Sequence, residues 1–350
     1  MIVINARFLT QKLTGVQRFA LEITRQLVNL RNDIILVAPK NIIYKNEARE
    51  LNVEPFGRFK RHLWEQIELP LFLKKHKYPL LLNFANTAPL LYRNMIVTIH
   101  DLAVYEYPDA FSTLFRLWYR FLLPRIARRS KKILTVSNFS RDEISRRFGI
   151  RGDKIDVIYN AVSTGISCRE RGSQRGKFIL TVSSHDPRKN LIRLIEAFEN
   201  LELKGYKLVI AGAQSSVFKS VKIRVNSERI DLLGHVGDEK LSELYSRASL
   251  FVYPSLYEGF GIPPLEAMKC GCPVVVSNIP PHREVCGDSA FYVNPKDTND
   301  IKRGIETVLR DDNLRQELSR KGRERVKLFS WRRSAEKVSR IIDELVDESH

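Results

Sequence analysis

The chain has 350 residues, 43% of them hydrophobic, and a formal net charge of +18. This length favours two domains, and the composition supports a normal buried core. No run of about eighteen uncharged apolar residues occurs, which excludes a membrane-spanning helix.

The positive charge is uneven. Residues 1–160 hold 27 Lys and Arg against 14 Asp and Glu, or +13, and the remainder holds 31 against 26, or +5. A basic half of this kind suits a polyanionic partner: nucleic acid, an anionic membrane or a phosphorylated substrate.

The opening MIVINARFLT lacks the charged start and small-residue cleavage site of a signal peptide and reads as a first β-strand, so a cytoplasmic chain is expected. A helical pattern follows in GVQRFALEITRQLVNL. Strand-like runs then recur in IILVAP, PLLLNF, MIVTIHD, KKILTVSN and KIDVIYN, with the helical RDEISRRFG before the last. Residues 161–177 are polar and aperiodic and read as a linker. A second cycle begins at FILTVSS and continues through the helix NLIRLIEAFENL, then KLVIAG, RIDLLGHV, the helix DEKLSELYSRA, SLFVYPS, PVVVSN and AFYVNP. Residues 298–322 and 332–346 read as helix. Short apolar strands separated by helices predict parallel sheets built of βαβ units. The expected architecture is α/β: two Rossmann-like, doubly wound domains facing across a cleft, 1–160 and 178–330. Ligands of such sheets lie beyond the carboxyl ends of the strands.

The most informative stretch is YPSLYEGFGIPPLEAMKCGCPVVVSN, from Tyr253 to Asn278. Glu258 stands in the loop after a strand. Gly259 and Gly261 allow a sharp turn. Pro263 and Pro264 suit the first turn of a helix, where a missing amide proton costs little. Glu266 then lies about one turn inside that helix. Two carboxylates thus flank a helix N-terminus, which favours phosphate. An ionised carboxylate accepts hydrogen bonds from neighbouring hydroxyls. The set suits a ligand with diols at both ends and phosphate between them, as in a nucleotide sugar.

The same stretch resembles the E-x7-E region of glycosyltransferase family 4, retaining enzymes of the GT-B fold. SSHDPRKNLIRLIEAF, LLGHVGDEKLSELYSRASLFVYPS and FSWRRSAEKV are also similar to that family, in its order, and TGVQRFALEI, TIHDL and LTVSNFSRDEI more weakly. Within it the chain looks most like bacterial polysaccharide and O-antigen transferases of mannosyl or rhamnosyl type, such as those of lipopolysaccharide synthesis. The resemblance implies that Glu258 contacts donor-sugar hydroxyls, that the amides of Gly259, Phe260, Gly261 and Ile262 face the sugar and diphosphate, and that Glu266 binds the ribose. Lys189 would face the diphosphate, with Arg188 sharing that work or merely solvated. Many relatives carry an arginine several residues earlier, where this chain has Ser183 and Ser184. His100, after a predicted strand, would serve the donor near the reaction centre, with Asp101 orienting it or binding acceptor. His185 is a weaker candidate. Gly15, opening a helix, would approach the donor phosphate or the acceptor. The last helix, 331–350, is expected to cross back to the first domain. The implied donor is a nucleoside-diphosphate hexose, GDP-mannose as first guess, and the implied acceptor a lipid-linked saccharide or polysaccharide.

No cofactor or metal is expected. DxD is absent, as are G-x-x-x-x-G-K-[ST], G-x-G-x-x-G and G-x-S-x-G. Of Cys168, Cys270, Cys272 and Cys286, only the C-x-C pair is close, which is poor zinc spacing; ordinary reduced thiols are expected. Residues 112–132 read as a basic helix with Phe115, Trp118, Phe121 and Leu122 at near-helical spacing, and 59–77 is a second such segment. Either the aromatic stripe packs in the core, or the helix meets the inner face of the plasma membrane. Two alternatives are a non-catalytic nucleic-acid-binding protein, for which no recognition motif is seen, and a GT-B nucleotide-sugar epimerase, which the E-x7-E stretch disfavours.

Overall fold

The computed structural model describes residues 1–168, 175–212 and 227–347. Residues 169–174 of the expected linker lie outside that set. The chain divides into two units. Met1–Leu102, Leu117–Asn160 and the segment from Ser330 form the first; Ala103–Arg116 and Ala161–Phe329 form the second. A short piece of the amino-terminal half therefore groups with the second unit.

In the first unit the strands are β1 (Ile2–Asn5), β2 (Ile34–Ala38), β3 (Glu54–Pro55), β4 (Leu80–Asn83), β5 (Met95–Thr98), β6 (Lys132–Thr135) and β7 (Ile155–Val157). They pair in the order β3-β2-β1-β4-β5-β6-β7, all parallel. In the second unit β8 (Gly176–Val182), β9 (Lys207–Ala211), β10 (Ile230–Gly234), β11 (Ala248–Tyr253), β12 (Val274–Ser277) and β13 (Phe291–Val293) pair in the order β10-β9-β8-β11-β12-β13, again parallel. Central strands such as MIVT and VVVS are buried at every position, because helices cover both sheet faces. The strand order reverses between β1 and β4, and between β8 and β11. Crevices at such switch points are where doubly wound sheets take ligands.

Every predicted strand is present; among the described residues β3, two residues at a sheet edge, is the one that no pattern announced. The helix Gly15–Leu30 starts at a capping box of Thr14 and Gln17. It packs on the last helix, Trp331–Asp347, through Phe19 and Trp331, whose rings lie 6.0 Å apart. In the second unit, the helices Leu191–Glu199 and Thr298–Arg310 close one sheet face over Ile179, Leu250 and Val252. The helix expected over 298–322 is two helices. Asp311 ends the first and caps the second, Asp312–Val326, accepting from the amide of Leu314.

The cysteine expectation is corrected. Cys168 and Cys270 form a disulfide, while Cys272 and Cys286 are buried thiols. The bonded pair is separated by 102 positions, so spacing gave no sign of it. The aromatic stripe of 112–132 divides: Leu122 is fully buried, Phe115 and Trp118 are half-buried, and Phe121 is exposed. No helix among the described residues is long and apolar enough to cross a membrane.

Candidate active site at the second switch point

β8 and β11 end side by side, and the loops that leave them are sewn together. Asn190 Nδ2 donates to the carbonyls of Pro254 at 3.0 Å and Pro295 at 2.6 Å. The Leu256 amide donates to the Arg188 carbonyl at 2.7 Å. These bonds bring the DPRKN turn against the loop that carries Glu258.

The result is a buried ion pair. Lys189 Nζ lies 2.6 Å from Glu258 Oε1 and also donates to the Tyr253 hydroxyl at 2.9 Å. The two side chains are 16% and 11% exposed. Burial pushes the Glu258 carboxyl up, but Lys189 beside it, with smaller help from His282 and Arg188, outweighs this and holds it at about 2. Burial pulls the Lys189 ammonium down, and Glu258 more than reverses that, so it titrates above its ordinary range. Both groups are therefore charged at neutral pH.

Arg188 is committed differently. Its guanidinium grips Asp186 at 2.5 Å, and the same carboxylate caps the turn by accepting from the Arg188 amide. Phe111 lies under that guanidinium, 5.3 Å from ring centre to charge. Asp186 thus offsets the charge of Arg188, expected either to share the diphosphate with Lys189 or to be merely solvated; the side chain is buried. A cavity of about 300 Å³ opens beside this turn, lined by His185, Asp186, Asn190, Arg193 and Glu196 among others.

After β11 the chain turns through Gly259 and Gly261 into the helix Ile262–Lys269, with both prolines in its first turn, as the sequence predicts. Gly261 sits at φ +90°, and a Cβ there would come within 3.2 Å of the His282 ring. That left-handed conformation and that close ring explain a glycine at this position. Phe260 is buried with its ring 5.6 Å from Phe329. Glu266, largely buried, accepts from the Tyr245 hydroxyl at 3.0 Å.

His282 was missed by the sequence reading. It is fully buried on the short helix Pro280–Cys286, its Nδ1 is 3.1 Å from the Ser277 carbonyl, and its Nε2 has no partner among the described residues. A carbonyl only accepts, so Nδ1 carries the proton and Nε2 presents a lone pair. Burial drives its pKa down to about 4, against the opposing pull of Glu258.

The remaining expected residues belong to the first unit. His100 is buried, its Nε2 2.9 Å from the Phe84 carbonyl and its ring edge-on to Phe19 at 4.9 Å. Burial lowers its pKa. Asp101 follows it, and Gly15 opens the Gly15–Leu30 helix. The switch point of that unit carries its own buried pair, Arg7 and Glu65 at 3.1 Å, with Asn5 and Thr87 on the same carboxylate oxygen.

Comparison with known proteins decides the family. The family described as Glycosyl transferases group 1 matches residues 169–325, and that described as Glycosyltransferase Family 4 matches residues 13–165. The O-antigen chain mannosyltransferase RfbU of Salmonella typhimurium is 32% identical over 277 residues, covering 78% of this chain and 76% of the relative. This chain belongs to glycosyltransferase family 4. A second relative, O-antigen chain mannosyltransferase B of Escherichia coli, is 33% identical over 259 residues, 67% of this chain and 66% of the relative. Among solved structures, Anabaena Alr3699/HepE in complex with UDP and glucose matches with a TM-score of 0.76 at 16% identity, over 98% of this chain and 99% of that one. The fold of this glycosyltransferase is thus GT-B, with a Rossmann-like parallel sheet in each unit.

Proposed function

We propose that this glycosyltransferase moves a mannose-like hexose from a nucleoside-diphosphate sugar to a hydroxyl of a lipid-linked saccharide or polysaccharide, with retention, in bacterial cell-surface glycan synthesis at the inner face of the plasma membrane. The observation that carries the reading is the Lys189–Glu258 pair at the second switch point, one loop before a helix N-terminus and eight residues before Glu266. The mannosyltransferase relatives support the sugar. In this reading the second unit takes the donor and the first the acceptor. Glu266 accepts from the ribose hydroxyls and Glu258 from the hexose. Lys189 meets the negative charge that grows on the leaving diphosphate, the step at which a fixed cation is most effective. The leaving phosphate oxygen takes the acceptor proton as the new bond forms on the face that the old one leaves. His100 and Asp101 serve the reacting end of the donor, and Gly15 approaches its phosphate. The transfer needs no metal in this reading, since Lys189 supplies the positive charge. Family membership favours this reading over nucleic-acid binding and over epimerisation.

Thermal melting against GDP, UDP and dTDP tests it. A nucleotide at a hundredfold excess over its Kd stabilises the folded state by about 2.7 kcal/mol. GDP is expected to stand out; no response to any of the three would leave the donor site without support.

A further inference from the structure

The segment Arg61–Lys75 of the first unit leaves an apolar line uncovered. It runs as α-helix over Arg61–Leu63, as π-helix over Trp64–Glu68 and as α-helix again over Leu69–Lys75. Residues four apart drift one way around an α-helix, and the wider π turn sets that drift back. Leu63, Ile67 and Leu71 therefore hold one line, and they are 61%, 46% and 57% exposed. The inner side of the same segment is well used: Trp64 is fully buried, and Glu65 pairs with Arg7.

Neighbouring elements widen the line into a patch. Gln66 binds the Ala88 carbonyl and the Leu90 amide at 2.9 Å each, and the residue after that amide, Leu91, is 85% exposed. The His62 ring lies tilted against that of Trp118 at 5.4 Å, joining the helix Thr113–Arg129, on which Leu117 and Phe121 are exposed. Six large apolar side chains at this exposure amount to several hundred Å², at the upper end of what a soluble monomer leaves bare.

The rim is basic. Lys60 and Arg61 stand at one end of the line and Lys74 and Lys75 at the other, all exposed. Arg125 lies over the Phe121 ring at 3.6 Å and donates to the Phe121 carbonyl at 2.7 Å, which places its charge on that exposed ring. The two acids of 57–78 do not oppose this charge. Glu65 is buried, and Glu68 is taken by the amides of Arg58 and Phe59.

We infer that the patch centred on Leu63, Ile67 and Leu71 seats the transferase on an anionic lipid bilayer. The apolar line enters the headgroup boundary while the lysines and arginines at its ends meet lipid phosphates. The charge decides between occupants: a second copy of this chain would bring the same basic rim against itself. The inference deepens the reading of the acceptor as lipid-linked and rests on that reading for its purpose, though not for its test.

The test is co-sedimentation with phosphatidylethanolamine–phosphatidylglycerol vesicles against pure phosphatidylcholine vesicles. Wild type is expected to bind the first and not the second. L63S/I67S/L71S should lose on the order of a hundredfold in vesicle affinity, and K74E/K75E about tenfold or more with the apolar line intact. All five positions are exposed, so unchanged melting temperature and nucleotide response serve as folding controls. Wild type that ignores anionic vesicles, or a serine variant that binds them equally, overturns the inference. So does a wild-type dimer that the serine variant dissolves while vesicle binding persists, since a second copy would then be the occupant. Failure of every nucleotide to shift melting, with vesicle binding intact, strikes the donor reading alone.

Discussion

Lys189→Met isolates the ion pair on which the site is built. It leaves the Glu258 carboxylate buried with its cation gone. Removing one partner of a buried pair costs about 3–5 kcal/mol, because the survivor's charge is uncompensated. The pair belongs to the unit formed by Ala103–Arg116 and Ala161–Phe329. For a unit of that size, 1 kcal/mol is worth about 2–4 °C, so melting should fall by roughly 10 °C. The double variant Lys189→Met/Glu258→Gln removes both charges and should recover to within about 1–2 kcal/mol of wild type, about 2–3 kcal/mol more stable than Lys189→Met alone. Acid adds an independent signature. In wild type the Glu258 carboxyl titrates at about 2, below its unfolded value of 4.5. Its contribution is therefore present above pH 4.5 and is lost as pH falls toward 2. Without the lysine, burial raises the same carboxyl above its unfolded value. The penalty then stands at neutral pH and is relieved on acidification. The stability gap between wild type and Lys189→Met should therefore narrow from pH 7 to pH 4, measured by calorimetry or urea melts. A gap that ignores pH, or a double variant no better than Lys189→Met, would falsify the pair as drawn.

Glu266→Ala should weaken nucleoside-diphosphate binding about tenfold or more by titration calorimetry, with Tyr245→Phe showing a smaller loss, since Tyr245 orients the carboxylate. Reduction, or Cys270→Ser, should lower stability by about 2–4 kcal/mol, because the Cys168–Cys270 bond closes a long loop; identical melts with and without reductant would mean the bond is absent. His282 is buried neutral with its pKa depressed to about 4, so its contribution, about 3 kcal/mol at most, holds above pH 6.5 and is lost as pH falls toward 4; His282→Gln should flatten that slope in acid melts. Finally, wild type should bind the intact nucleotide sugar about tenfold more tightly than the bare nucleoside diphosphate, and Glu258→Gln should erase the difference.

Much of this was legible because parallel strands covered on both faces must be apolar throughout. MIVT and VVVS announce themselves. The start of the Ile262 helix was equally plain, since only a first turn tolerates Pro263 and Pro264 together. Partners that meet across the fold were not legible. Tyr253 and Tyr245 look like ordinary strand and helix aromatics until their hydroxyls are seen on Lys189 and Glu266. Cys168 and Cys270 are joined by tertiary structure alone. The break at Asp311 did leave a local sign, an aspartate able to cap Leu314 inside a helical run, but helical periodicity resumes so soon that the two helices read as one. The pattern of 112–132 left open whether its stripe packs in the core or faces outward, and burial of Leu122 with exposure of Phe121, one residue and about 100° away around the helix, puts the stripe across that boundary.

In the proposed donor site, the same geometry would tell a donor from its spent nucleotide. Before a ligand arrives, Lys189 and Glu258 satisfy each other at 2.6 Å, so neither sits in the site as a bare charge. A diphosphate that draws Lys189 toward its oxygens exchanges one anionic partner for another, and the lysine loses little. Glu258 is left worse off: a buried carboxylate whose cation has turned away is short of hydrogen-bond donors, at a cost approaching the about 3–5 kcal/mol of losing the lysine outright. Hexose hydroxyls can supply those donors, and a bare nucleoside diphosphate cannot. In that proposed site, the carboxylate that would hold the sugar would thus also make the sugar-free product an inferior ligand and favour its departure after transfer. Glutamine keeps the shape but has no charge to strand, so Glu258→Gln should cost sugar contacts and ease the binding of product by one and the same change.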